Sequence, residues 1–180
     1  MNMKTKEITM IGLMAALICI AGPLSMPLPF SPVPISLTNL AVYFAVYLLG
    51  MKCGTISYCV YLLLGLAGIP VFSAFTSGPA KLLGPTGGYL IGFVFMAAIC
   101  GWFVDKWNGK PVLSFIGMAA GTAVCYIFGT AWLAYQANMS FGAALAAGVL
   151  PFLAGDAIKM ALSIVVGMPV RVRVRKAVVN

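Results

Sequence analysis

Apolar residues fall in six long runs, separated by short clusters rich in Gly, Pro and Lys. The runs are about Ile8–Leu24, Leu37–Leu49, Gly54–Leu66, Thr86–Val104, Val112–Gln136 and Leu150–Val170. Continuous runs that approach the ~20 residues of a bilayer-spanning helix predict membrane segments, not the amphipathic stripes of a soluble bundle. Between the first two runs, Pro27, Pro29, Pro32 and Pro34 exclude regular helix. A second irregular stretch, Ile69–Pro85, carries glycines and prolines together with Phe72, Ser73, Phe75, Thr76 and Ser77. Its aromatic and hydroxyl content fits a lid over a binding site better than a solvated linker.

Composition agrees. Of 180 residues, 62% are hydrophobic and 8% charged, against roughly 25% charged in a soluble domain. The expectation is an all-α integral membrane protein, with residues 1–180 forming a single transmembrane domain. No room remains for a soluble catalytic or nucleotide-binding domain. The net charge of +8 does not indicate a nucleic-acid partner, because the basic residues sit at segment ends. With a cytoplasmic N-terminus, nine of the eleven basic residues fall inside: Lys4, Lys6, Lys52, Lys106, Lys110, Arg171, Arg173, Arg175 and Lys176. Lys81 alone falls outside, and Lys159 lies within the sixth run. This positive-inside bias predicts six transmembrane helices with both termini cytoplasmic and a bilayer around them. The basic stretch Arg171–Lys176 is expected to be a cytoplasmic tail attracted to anionic headgroups. The N-terminal run continues into Ser25–Pro34 without a clear cleavage site, which favours a retained first helix over a signal peptide. Five cysteines lie mostly in apolar runs, without C-x-x-C spacing or histidines. They read as small hydrophobes, not disulfides or metal ligands.

Two charges stand inside an apolar run. Asp156 and Lys159, at i and i+3, share one face of the sixth helix and neutralise each other. An intramembrane ionisable residue costs about 2.5–3.5 kcal/mol on insertion scales, which a purely structural helix would avoid with two leucines. The pair offers an acceptor beside a donor, suited to a small polar ligand or an ion. Asp156 falls about 8 Å below the outer start of the helix, so a site there would be loaded from outside.

Five stretches then resemble one family. They are Pro32-Val-Pro-Ile-Ser-Leu-Thr-Asn39, Gly65-Leu-Ala-Gly-Ile-Pro-Val-Phe72, Leu83-Gly-Pro-Thr-Gly-Gly-Tyr-Leu-Ile-Gly92, Gly129-Thr-Ala-Trp-Leu-Ala-Tyr-Gln136 and Pro151-Phe-Leu-Ala-Gly-Asp-Ala-Ile-Lys159. In this order and over nearly the whole chain they resemble the BioY family, the biotin-binding S components of energy-coupling-factor (ECF) importers. G-P-T-G-G-Y and G-D-x-x-K are specific in combination. The resemblance implies a six-helix S-component bundle with biotin held near the outer face, under the loop after the third helix. Asp156 and Lys159 match the family's last-helix pair, and Thr76 and Ser77 fall where the family places a polar loop residue. Tyr89 and Trp132 are shared aromatic positions, and Asn39 matches a polar one. Small residues of the family's first helix face the transmembrane coupling subunit, which singles out Gly12, Ala15 and Ala16; packing within the bundle is the other use of such residues.

Biotin's ureido ring carries two N–H donors flanking a carbonyl, which a carboxylate and an ammonium complement. Lys159 meeting the valerate carboxylate instead is equally compatible with the sequence. No Walker A spacing, no histidine and only three carboxylates are present, so the chain is expected to be non-enzymatic, without cofactor or metal, and energised by separate coupling and ATPase subunits. The alternatives are an S component for another vitamin, or an ion- or proton-coupled carrier using Asp156.

Overall fold

The first helix, α1 (Thr5–Ala21), turns Ile11, Met14, Ala15 and Ile18 inward. That is the i, i+3, i+4, i+7 stripe of a helix with one packed face. The computed structural model describes residues 5–29 and 31–179. Lys4 of the basic count lies outside the described residues, as do the side chains of Arg175 and Lys176. Ala15 therefore belongs to the inward stripe, while Gly12 and Ala16 face outward. The small-residue surface expected on this helix loses its middle member to the core.

The proline-rich connection forms two short antiparallel strands, β1 (Ser25–Leu28) and β2 (Ser31–Ser36), with Ser25 opposite Ser36 and Met26 opposite Ile35. Prolines donate no ladder hydrogen bond and fit such a two-stranded edge. The protein is thus mostly helical, not wholly so as expected. Prolines rule out helix but do not announce strand pairing.

Helix α2 (Thr38–Leu66) merges the second and third apolar runs across Gly50, whose φ of 79° and ψ of −171° are not helical. A Cβ built on Gly54 would lie 2.7 Å from the Cα of Val46. Eight residues along a straight helix would separate them by about 12 Å. The chain therefore doubles back at Gly50 into two antiparallel arms, and only glycine adopts that φ cheaply. Both arm ends are closed by other helices. Asp105 Oδ2, from α4 (Gly87–Lys106), accepts from the Met51 N–H at 2.8 Å, where the second arm begins. Arg171, from α7 (Leu153–Val179), donates to the Tyr47 carbonyl near the end of the first arm and to the Val104 carbonyl of α4.

Arg171 is thus buried, and the helix carries on through Pro169; the tail expected from residue 171 onward starts as a packed helical turn. Its guanidinium offers several donors to carbonyls freed at helix ends, which no apolar residue at that position supplies. Arg171→Met is expected to lower the melting temperature in detergent, at about 1–3 kcal/mol per carbonyl left unpaired. An unchanged melting curve would contradict this role.

The remaining α-helices are α3 (Pro79–Leu83), α5 (Pro111–Gln136) and α6 (Phe141–Gly148). Helix α6 was not legible in advance. Its Ala- and Gly-rich sequence lacks a long apolar run, although Ser140 caps it by accepting from the Ala143 N–H at 3.3 Å. Among the described residues, four helical stretches are long and apolar enough to cross a membrane: Thr38–Leu66, Gly87–Lys106, Pro111–Gln136 and Leu153–Val174. Large apolar side chains such as Ile127 and Val165 project outward from them, as lipid contact requires.

Tyrosines of α2 fill the centre. Tyr43, Tyr47, Tyr58 and Tyr61 are almost wholly buried, and buried phenols need partners. The Tyr47 hydroxyl donates to the Gly109 carbonyl at 2.9 Å and that of Tyr58 to the Leu90 carbonyl at 2.7 Å. Gly50, Gly109 and Arg171 gather at one end of the bundle through these contacts. At the other end lie the β1–β2 pair, the segment 67–86 and α6. Ser31 Oγ donates to the Ala147 carbonyl at 2.8 Å, and Ser25 Oγ accepts from the Ala74 N–H at 2.9 Å, binding these irregular pieces together.

Candidate functional site

Under that irregular end lies a cavity of about 90 Å³, several times the roughly 10–15 Å³ that one water occupies. It has an apolar body and two polar regions, the arrangement typical of small-molecule sites. Tyr89, Leu90, Phe93 and Met96 line it from α4, and Tyr43 and Tyr61 from α2.

The first polar region is built around Asp156, which the α7 start points into the bundle five residues after Pro151. Asp156 is 5% exposed, and burial of a carboxylate on this scale demands partners. It has three. Oδ1 accepts from Asn39 Nδ2 at 2.6 Å and from Lys159 Nζ at 3.2 Å, while Oδ2 accepts from the Tyr126 hydroxyl at 2.6 Å. Lys159 also donates to the Ser36 carbonyl at 2.8 Å and to Asn39 Oδ1 at 3.0 Å. The i, i+3 pair is therefore one part of a network that joins β2, α2, α5 and α7. Beside it the Tyr43 hydroxyl lies 2.6 Å from Thr122 Oγ1. Because Thr122 spends its own proton on the Met118 carbonyl at 2.7 Å, Tyr43 is the donor.

The second polar region comes from the segment after α2: Ser73, Lys81 and Thr86 line the cavity. Burial lowers the pKa of Lys81.

Of the residues singled out from sequence, Asp156, Lys159, Asn39 and Tyr89 line this cavity together. Thr76, Ser77 and Trp132 do not. Thr76 Oγ1 donates to the Ser73 carbonyl at 2.8 Å, holding the turn that carries Ser73. Trp132 Nε1 donates to the Gly84 carbonyl at 2.9 Å, clamping the start of α4 onto α5. Tyr89 reaches the Gly148 carbonyl at 3.1 Å through its hydroxyl. Tyr126 and Lys81 were missed. Tyr126 stands four residues after Thr122 and so on the same helix face. Two hydroxyls at that spacing in an apolar run were the available signal.

Comparison with known proteins follows the same lines. The model of the BioY family matches residues 1–176. Biotin transporter BioY2 of Lactococcus lactis subsp. cremoris is 35% identical over 93% of this chain and 91% of its own length. Biotin transporter BioY of Thermotoga maritima is 33% identical over 91% and 94%. A crystal structure of the S-component for biotin from an ECF-type ABC transporter superposes with a TM-score of 0.83 at 34% identity, covering 94% of this chain and 95% of that one.

Proposed function

The chain belongs to the BioY family, and on that premise we propose that it is the biotin-capturing S component of an ECF importer. It is a membrane protein of the cell membrane that takes biotin from the extracellular side and delivers it with energy from separate ATPase and coupling subunits.

The donor and acceptor count around Asp156 carries this reading. Asp156 Oδ2 and the Tyr126 oxygen retain acceptor capacity, and Asn39 Nδ2 retains one N–H after serving Asp156. Two acceptors beside one donor complement the two N–H groups and the carbonyl of a ureido ring. The tyrosine and phenylalanine faces of α2 and α4 suit the apolar bicycle.

Topology is part of the proposal. Counting α1, both arms of α2, α4, α5 and α7 gives six crossings. The Gly50 end, with Lys52, Lys106 and Lys110, is then cytoplasmic together with both termini, and the cavity opens outward. The outward Gly12 and Ala16 of α1 are the surface offered to the coupling subunit, since small residues permit close helix approach in lipid.

Uptake of labelled biotin by biotin-auxotrophic bacteria tests the proposal. Cells that express the chain together with an ECF coupling subunit and its ATPases are expected to accumulate biotin in an ATP-dependent way. Accumulation of thiamine or riboflavin instead, or of nothing, would count against it.

A further inference from the structure

Three charged side chains line the cavity among the described residues: Lys81, Asp156 and Lys159. Asp156 and Lys159 form an ion pair at 3.2 Å and cancel. The Lys159 ammonium has three N–H donors, and the Ser36 carbonyl, Asn39 Oδ1 and Asp156 Oδ1 match all three. Lys159 therefore has no donor left for a ligand unless this network is dismantled. Lys81 differs. It is half-buried, and no carboxylate of the described residues lies within ion-pair distance of it. The cavity as a whole carries one uncompensated positive charge, contributed from the segment between α2 and α4, with Ser73 and Thr86 lining the same cavity.

Resting on the biotin reading, we propose that Lys81 is the specificity-determining residue for the ligand's carboxylate. The ureido ring then sits against Asp156, Asn39 and Tyr126, and the valerate chain runs toward α3. This orientation separates the two poses that the sequence left open. It assigns Lys159 to the internal network and the anion to Lys81. The partial desolvation that lowers the Lys81 pKa is offset when a carboxylate arrives.

Competition binding with biotin and with biotinamide, its uncharged primary amide, tests the assignment on the detergent-purified protein. Wild type is expected to prefer biotin by roughly 10- to 100-fold, the range for a hydrogen bond to a charged group. Lys81→Met is expected to lose that preference while holding biotinamide as wild type does, and Lys81→Arg to keep most of it. Unchanged biotinamide binding also establishes that the variant is folded. The proposal is overturned if Lys81→Met still discriminates, or if it weakens both ligands equally. Wild type that binds neither compound would remove the biotin reading itself, and the role of Lys81 with it.

Discussion

Asp156→Asn weakens biotin binding by roughly 100-fold or more, and it also lowers the stability of the protein in detergent. The two effects have separate origins. In the proposed pose the carboxylate is the acceptor that the ureido N–H groups share with Tyr126, and hydrogen bonds to a charged group contribute about 1.5–3 kcal/mol each. An amide nitrogen at that position would confront a donor with a donor. In stability, the substitution leaves the part-buried Lys159 without its counter-charge, and removing one partner of a pair shielded from water costs up to about 3–5 kcal/mol. A double variant separates the effects. Asp156→Leu with Lys159→Met removes both charges, which is often close to neutral for folding, so the melting temperature should recover while biotin binding stays lost. Thermal melting and equilibrium binding on the same three proteins decide the matter. A single variant that binds as wild type does would move the ligand away from α7.

The second large effect concerns packing. Gly87 and Gly88 of the G-P-T-G-G-Y stretch sit where backbones touch. A Cβ on Gly87 would lie 2.6 Å from the carbonyl carbon of Leu82, and one on Gly88 would lie 2.6 Å from the Phe128 carbonyl oxygen of α5. Neither neighbour is the end of a flexible side chain, so α4 must move. Gly88→Val is therefore expected to cost at least about 1–3 kcal/mol, the usual range for overpacking. It should also weaken biotin binding, because Tyr89 is the next residue and lines the cavity. Gly142→Ala is the control: a Cβ there meets nothing within 4 Å, and melting should be unchanged or slightly raised. Equal melting temperatures for Gly88→Val and wild type would contradict the close contact.

The same motif illustrates how much was legible beforehand. That two glycines precede Tyr89 could be seen in the chain; that Gly88 lets α4 approach α5 could not, because Phe128 is remote in sequence, and that Gly87 meets Leu82 depends on the shape of the turn between α3 and α4, which carries no periodic pattern. Long apolar runs located the major helices well, since in lipid the hydrophobic length of a segment dominates other preferences. The break between the second and third runs placed a reversal at residues 50–53, and Gly50 makes it; the runs did not show that it is tight enough for Val46 and Gly54 to touch. The short elements at the cavity end were hidden for a related reason. The β1–β2 pair and α6 are held by strand pairing and by contacts between segments far apart in sequence, such as Ser31 to Ala147, not by any periodic pattern. Asp156 and Lys159 announced themselves by their cost in an apolar run. Tyr126 and Tyr43 carry no such cost and blend into the core composition, so their hydroxyls become informative only when the helices place them. Arg171 looked like one of a row of interfacial cations, and only the packed helix distinguishes it from its neighbours.

On the proposed function this chain binds biotin by itself, with the carboxylate of α7 at the heart of the site. Equilibrium binding of labelled biotin to the purified, detergent-solubilised chain, beside Asp156→Asn, tests it most directly. Saturable one-to-one binding that the variant loses is the expected result. Absence of binding by well-folded wild-type protein would contradict the biotin assignment, and tight binding that survives in the variant would contradict the placement of the site.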